Sequence, residues 1–269
     1  LKSIIVTGAS SGIGKAATIM LARSGYRVFG LARSYDKLKA LALELPGENY
    51  VPVEFDITHP EAFVTVVSDI AARGGIFGLV NNAGYVEPGA IEDIGIEDLR
   101  AQFETNFFGL VGLTKQVLPI MMQKGEGRIV NTSSMAGLIS LPLIGAYCAS
   151  KHALEAVADA LRMELWNTGI KVVNINPGVI ETNIHAVTNS KTPLLKEKSR
   201  FARAYKKYLE DVSSGLPASR VASTIVEAIS SPDPKPRYVI GSGREKAGLR
   251  LRQYIPDRLF YSQVSKRLT

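Results

Sequence analysis

Thr7-Gly8-Ala9-Ser10-Ser11-Gly12-Ile13-Gly14 follows the apolar run Ile4-Ile5-Val6 and opens a segment with helical periodicity. A glycine turn between a strand and a helix lets backbone N–H groups approach a pyrophosphate, whose charge the helix N-terminus stabilises. The spacing is G-x-x-x-G-x-G, not the commoner G-x-G-x-x-G.

The same alternation continues along the chain. Strands are predicted near 3–7, 26–32, 50–55, 77–81, 127–133, 170–176 and 237–241. Helices are predicted near 13–24, 36–45, 60–73, 97–123, 147–167 and 218–230. The strands are continuous apolar runs, as in a parallel sheet covered on both faces. The expected fold is therefore α/β: one doubly wound, mostly parallel seven-stranded Rossmann sheet with helices on both faces, binding its ligand at the carboxyl ends of the strands. The expected division is a Rossmann-fold domain over 1–243 and a basic amphipathic extension over 244–269. Within the domain, 183–216 breaks the rhythm. It reads as a loop covering a substrate, or as a surface helix over about 194–211 that touches none.

Composition excludes other classes. The 269 residues are 46% hydrophobic and 21% charged, which supports a core and excludes disorder. A single Cys148 rules out an intrachain disulfide framework and a cysteine-rich zinc site, and fits the cytosol. The formal charge is +7, but residues 235–269 hold nine Lys/Arg against two Asp/Glu, so the body is neutral and no nucleic-acid partner is expected. Residues 129–150 lack charge yet contain too many polar and helix-breaking residues for a membrane span. The first apolar run is too short for a signal-peptide core, and the chain starts at Leu1 without Met, as if a few residues preceded it. The basic tail reads as a solvated or docked face, or as a peripheral contact with an anionic membrane.

Other motif readings compete. Gly14-Lys15 imitates the end of a P-loop, but Ala9 and Ala16 stand where Gly and Ser/Thr belong. Gly8 to Gly12 also spells G-x-S-x-G, a hydrolase elbow in which Ser10 would need a base from His59, His152 or His185. Such an elbow on the first strand has no preceding sheet to supply oxyanion donors. Tyr147 and Lys151, four apart, share one helix face. A neighbouring ammonium favours the phenolate, so Tyr147 is expected to titrate below its usual value of about 10 and to exchange a proton with an alcohol or carbonyl. Alone, Y-x-x-x-K also describes a surface pair. Ser134, past the fifth strand, can hydrogen-bond a reacting oxygen or simply end the strand. Asn106 is a polar residue among Phe103, Phe107 and Phe108, and Asn81-Asn82-Ala83-Gly84 ends the fourth strand. No ligand-spaced His, Cys or carboxylate cluster appears, so no metal is expected.

Taken together, T-G-x-x-x-G-x-G at 7–14, N-N-A-G at 81–84, Asn106, Ser134, Y-x-x-x-K at 147–151 and Pro177-Gly178 with Thr182 resemble the classical short-chain dehydrogenase/reductase family over about residues 3–242. The resemblance implies an Asn106, Ser134, Tyr147, Lys151 tetrad. Tyr147 would be the general acid/base, and Ser134 would orient the substrate oxygen. Lys151 would hold the nicotinamide ribose and lower the tyrosine pKa, while Asn106 would position a proton-relaying water. The coenzyme would lie along Gly8, Ser10, Ser11, Gly12, Ile13 and Gly14, then Asp56 and Ile57 at the adenine. Asn82, Ala83, Gly84, Pro177 and Gly178 would also bind it, with Thr182 and the backbone near Ile180 at the carboxamide.

The second strand ends in Ala32-Arg33-Ser34, without the carboxylate that would bind a ribose 2′-hydroxyl. Arg33 and Ser34 suit a 2′-phosphate, so NADP(H) is expected over NAD(H), although Ser10 and Ser11 add no cation. Leu141, Leu143 and Ile144, with Leu138, Ile139, Leu194 and Leu195, would line an apolar pocket. The wider pattern resembles the hydroxysteroid and retinol dehydrogenase-like branch, which implies a hydrophobic small-molecule carbonyl or alcohol. Seven Lys/Arg over 191–207 keep an acyl thioester carrier open. The family resemblance implies a homodimer or homotetramer. A non-catalytic dinucleotide sensor is the alternative of another class.

Overall fold

The computed structural model describes residues 1–45, 47–181, 197–212, 215–266 and 268. β1 (Ser3–Thr7) is buried at every position. It pairs in parallel with β2 (Arg27–Ala32) on one side and β4 (Gly78–Asn81) on the other. β3 (Tyr50–Glu54) lies beyond β2, while β5 (Gly127–Thr132), β6 (Ile170–Pro177) and β9 (Arg237–Ile240) follow β4. The seven-stranded order is β3-β2-β1-β4-β5-β6-β9, all parallel. The winding reverses between β1 and β4, which opens a crevice at their carboxyl ends.

Because strand side chains alternate, β1 feeds two cores. Ile4 and Val6 pack with α1 (Gly12–Arg23) and α8 (Ala218–Ser230) through Leu21, Val221 and Ile225. Ile5 packs on the other face with α3 (Phe63–Ala72), α5 (Gly109–Lys124) and α6 (Gly145–Glu164) through Val67, Leu113 and Leu154. α2 (Tyr35–Glu44) joins β2 to β3. The helix expected over 97–123 is divided. α4 (Ile96–Phe103) runs into a π-helical turn at 104–108 before α5, and that widened turn carries Asn106.

Two short strands, β7 (Ile180–Glu181) and β8 (Leu216–Pro217), pair in parallel beside the main sheet. α7 (Ala202–Asp211) occupies the later part of the expected 194–211 helix. Thr182, His185, Leu194 and Leu195 lie outside the described residues. Beyond β9, a capping box in which Ser242 and Glu245 bond reciprocally starts α9 (Gly243–Arg252), and α10 (Asp257–Ser265) follows.

Candidate active site

The glycine turn is shaped by close approach. Gly8 and Gly12 have φ of 66° and 52°, a region that favours glycine. A Cβ on Gly14 would lie 2.2 Å from the Gly8 carbonyl oxygen and 2.5 Å from Asn82 Nδ2. Gly14 therefore sits beneath the turn and supports it, while Ser10, Ser11, Gly12 and Ile13 face the crevice. Ser11 leaves the α1 N-terminus without a side-chain cap, so the first N–H groups of the helix are available to an anion. Thr7 ties the two central strands together. Its Oγ1 accepts the N–H groups of Asn82 and Ala83, each at 2.9 Å, and Asn82 Nδ2 donates to Thr7 O at 3.0 Å.

From this turn a continuous cavity of about 1280 Å³ extends in both directions. One end holds Arg33, Ser34, Asp56 and Ile57, together with Lys37, which the sequence reading missed because it lies a turn into α2. Burial opposes the charge on Asp56. Hydrogen bonds from the Thr58 N–H and hydroxyl, with the Arg33 and His59 charges, nevertheless hold its carboxyl below the ordinary range.

The other end holds Asn82, Ala83, Gly84, Ser134, Tyr147, Lys151, Pro177, Gly178 and Ile180. Ser134 Oγ accepts from Ala136 N at 3.1 Å and donates to Pro177 O at 3.3 Å, and it lines the same cavity as Tyr147. Lys151 Nζ donates to Thr132 O at 2.9 Å and lies 5.8 Å from the Tyr147 ring centroid. Asn106 is wholly buried beside them. Its amide exchanges hydrogen bonds with the backbone N–H and C=O of Tyr85 at 3.0 and 2.9 Å, and donates to Ser150 Oγ at 3.2 Å.

One electrostatic expectation is overturned. Burial pushes the Tyr147 phenol up to about 12, and the Ser134 hydroxyl, which favours the phenolate, does not compensate. Burial also brings the Lys151 ammonium down to about 8, against the attraction of Glu155. The enclosed site disfavours both charges, so proximity to Lys151 does not lower Tyr147 in the free protein.

The pocket expectation divides as well. Leu141, Ile144 and Ile139 line the cavity. Leu143 does not. With φ of 66° it turns away and packs with Ala90, Ala204 and Tyr205. The apolar wall is instead extended by Val86, Tyr208, Leu249, Phe260 and Val264. The last three come from α9 and α10, so the expected tail contributes to the site. Their amphipathic pattern was visible in the sequence, but not the surface they meet.

Alternative readings find little geometry. His59 lies 3.7 Å from Asp56, and His152 contacts Cys148 O at 2.8 Å, each already engaged away from Ser10. Cys148 is buried among Val86, Ala136 and Ile144, and burial pushes its thiol up. No cluster of His, Cys, Asp and Glu able to hold a metal occurs among the described residues, and no described helix is long and apolar enough to cross a membrane.

The family model described as short chain dehydrogenase matches residues 2–193. The chain belongs to the short-chain dehydrogenase family. It is an oxidoreductase of the carbonyl and alcohol level, and members of this family bind NAD(P). Among similar short-chain dehydrogenases, an NADPH-dependent 3-dehydrocapnine reductase from Ornithobacterium rhinotracheale is 36% identical over 99% of this chain and 98% of its own length. The uncharacterized oxidoreductase YusZ of Bacillus subtilis is 37% identical, with 99% and 98% covered. A short-chain dehydrogenase crystal structure from Streptomyces avermitilis superposes with a TM-score of 0.82 at 32% identity, covering 99% of each chain. One from Burkholderia phymatum, in complex with NAD, gives 0.81 at 26% identity over 94% of this chain and 93% of that one. The residues present fit a dinucleotide: a Cβ at Gly14 would disrupt the turn over which the pyrophosphate would lie, and cations line one end of the same cavity.

Proposed function

We propose that the protein is an NADP(H)-dependent reductase that interconverts a carbonyl and an alcohol on a hydrophobic small molecule. The observation that carries this reading is the convergence of Ser134, Tyr147 and Lys151 in a cavity that is continuous with the glycine turn and walled by Ile139, Leu141, Ile144 and Phe260. Asp56 and Ile57 would border the adenine, and Arg33, Ser34 and Lys37 would meet a 2′-phosphate. The Ornithobacterium relative, named as NADPH-dependent, supports that preference. When bound, the nicotinamide supplies or accepts the hydride.

The protein's own groups handle the oxygen and its proton. Ser134 Oγ orients the substrate oxygen, and in reduction the Tyr147 hydroxyl gives up its proton to that oxygen. The Lys151 ammonium, held at Thr132 O, stabilises the resulting phenolate and binds the ribose. Asn106, fixed to Tyr85, holds the widened turn from which the proton relay to Lys151 is built. Apolar walls exclude water from the transfer.

Replacing Tyr147 by Phe tests the assignment. Turnover with NADPH and a panel of hydrophobic ketones and aldehydes should fall by about a hundredfold or more, while NADPH binding, followed by fluorescence, stays near that of the parent. Equal turnover refutes the role. Acyl thioesters belong in the same panel, because Lys207 also borders the cavity.

The assembly proposed is a homodimer or homotetramer, supported by the exposure of Phe108, Met122, Met163 and Trp166 on and beside α5 and α6. Cytoplasmic placement with peripheral attachment to anionic membranes is proposed for the tail, where Leu251, Tyr254, Leu259 and Tyr261 are exposed among arginines. Sedimentation with anionic vesicles tests it.

A further inference from the structure

Asn81, Asn131, Asn174 and Arg237 occupy neighbouring register positions on β4, β5, β6 and β9. The three amides form one directed chain. Asn81 Nδ2 donates to Asn131 Oδ1 at 2.9 Å, Asn131 Nδ2 to Asn174 Oδ1 at 3.0 Å, and Asn174 Nδ2 to Glu155 Oε2 at 2.7 Å. Glu155, 5% exposed on α6, also accepts from Asn176 Nδ2 at 2.7 Å and from Arg237 at 3.1 and 2.7 Å. Burying a carboxylate and its partners is expensive, and an apolar residue would serve packing as well.

Two connections lead from Glu155 to the reacting groups. Asn176 Nδ2 also donates to Ser134 O at 3.0 Å, so the carboxylate anchors the amide that holds the Ser134 backbone. Glu155 also stands one helical turn after Lys151. The turn carrying Ser134 is pressed onto α6 between these two residues: a Cβ at Gly137 would lie 3.1 Å from Lys151 O and 3.2 Å from Glu155 Cγ.

We propose that Glu155 is a positioning residue for the reaction, fixing Ser134 through Asn176 and supplying a negative charge one helical turn from Lys151. The inference rests on the proposed roles of Ser134, Tyr147 and Lys151. Glu155 is the charged group that favours the Lys151 ammonium against burial. Arg237 of β9, the nearby cation, is paired with Glu155 and Asp159. Arg162 is paired with Asp159 on α6, and Tyr147 is neutral at physiological pH. From β5, β6 and the π-helical turn the approaching groups are the uncharged Thr132, Asn174, Asn176 and Asn106.

The test is the pH profile of kcat for NADPH-dependent reduction by the full chain carrying Glu155→Gln. Loss of the charge should move the alkaline limb down by about one pH unit, as expected for one charge a helical turn away at an intermediate dielectric, and lower kcat more than it raises KM. Asn176→Ala, which leaves the charge in place, should lower kcat without moving the limb. If Glu155→Gln does not fold, Arg237→Gln asks the same question with the opposite sign, because losing the neighbouring cation should move the limb up. A folded Glu155→Gln with the parent's limb and kcat overturns the proposal, as does an unmoved limb in Arg237→Gln. Full activity of Tyr147→Phe would instead overturn the underlying reading, so the two failures are distinguishable.

Discussion

Asn106 and the backbone of Tyr85 satisfy one another reciprocally: the side-chain oxygen accepts the Tyr85 N–H at 3.0 Å, and the side-chain nitrogen donates to the Tyr85 C=O at 2.9 Å. One amide thus fixes both the π-helical turn and the segment that leads from β4 past the cavity. Asn106→Ala leaves the part-buried Tyr85 N–H without its partner, at a cost of about 1–3 kcal/mol, while Gln102 Nε2 still donates to the Tyr85 C=O at 3.3 Å. The expected outcome is a lower melting temperature together with loss of turnover. Asn106→Asp, which keeps the acceptor, should restore part of the stability, as thermal denaturation will show.

The glycine turn offers a steric prediction. Gly14→Ala would place a methyl group 2.2 Å from the Gly8 carbonyl oxygen, a backbone atom that cannot yield without moving the turn. NADPH affinity should fall at least about tenfold, consistent with overpacking costs of about 1–3 kcal/mol. Gly243→Ala, where the added methyl meets nothing within 4 Å, is the control and should bind as the parent does.

Cofactor choice can be separated from cofactor binding. Arg33→Ala should weaken NADPH about tenfold or more, the scale of a lost charge-assisted hydrogen bond, and leave NADH nearly unchanged. Lys37→Ala, further along the same wall, should act in the same direction with a smaller effect. Parallel fluorescence titrations decide it, and equal weakening of both coenzymes removes the 2′-phosphate contact.

Reaction rates should depend on pH with opposite signs in the two directions. On the proposed roles reduction uses the Tyr147 proton and the Lys151 ammonium, so it should hold through neutral pH and decline above about 8, where Lys151 discharges. Oxidation needs the phenolate, which burial opposes, and should rise with pH across the same range. Initial rates of the forward and reverse reactions between pH 6 and 10 test both slopes.

The same burial has a stability consequence. Lys151 titrates at about 8 in the fold against 10.5 ordinarily, so charging it costs the folded state on the order of 3 kcal/mol. That penalty is complete below pH 8, shrinks as pH rises, and is gone above the unfolded value. Lys151→Met should therefore be inactive yet melt no lower than the parent at pH 7, with any advantage fading toward pH 10. A markedly lower melting temperature at pH 7 would show that the Thr132 bond outweighs the charge penalty.

What could be read beforehand follows physical locality. Thr7 to Gly14 was legible because a tight turn before a helix needs glycine at fixed places, and Tyr147 with Lys151 because one helix turn relates them. The continuous apolar strands announced a sheet buried on both faces. Leu143 misled because its left-handed backbone, unusual for leucine, turns the side chain toward Ala90 and Tyr205. Phe260 and Val264 belong to a tail that was legible as amphipathic, but which surface they meet depends on packing more than a hundred residues away from Tyr147. The direction of the Tyr147 shift was missed because desolvation is a property of the assembled cavity, and adjacency in a helix says nothing of it.

The outer wall of the cavity is formed partly by the last two helices, whereas the glycine turn, Ser134, Tyr147 and Lys151 belong to the sheet and the elements that pack on it. Part of the wall that would meet a substrate is thereby carried by a stretch of polypeptide separate from Ser134, Tyr147 and Lys151. Grafting a different C-terminus onto this scaffold should retune which molecules are accepted while the proton-handling apparatus stays intact, a modular route to new selectivity.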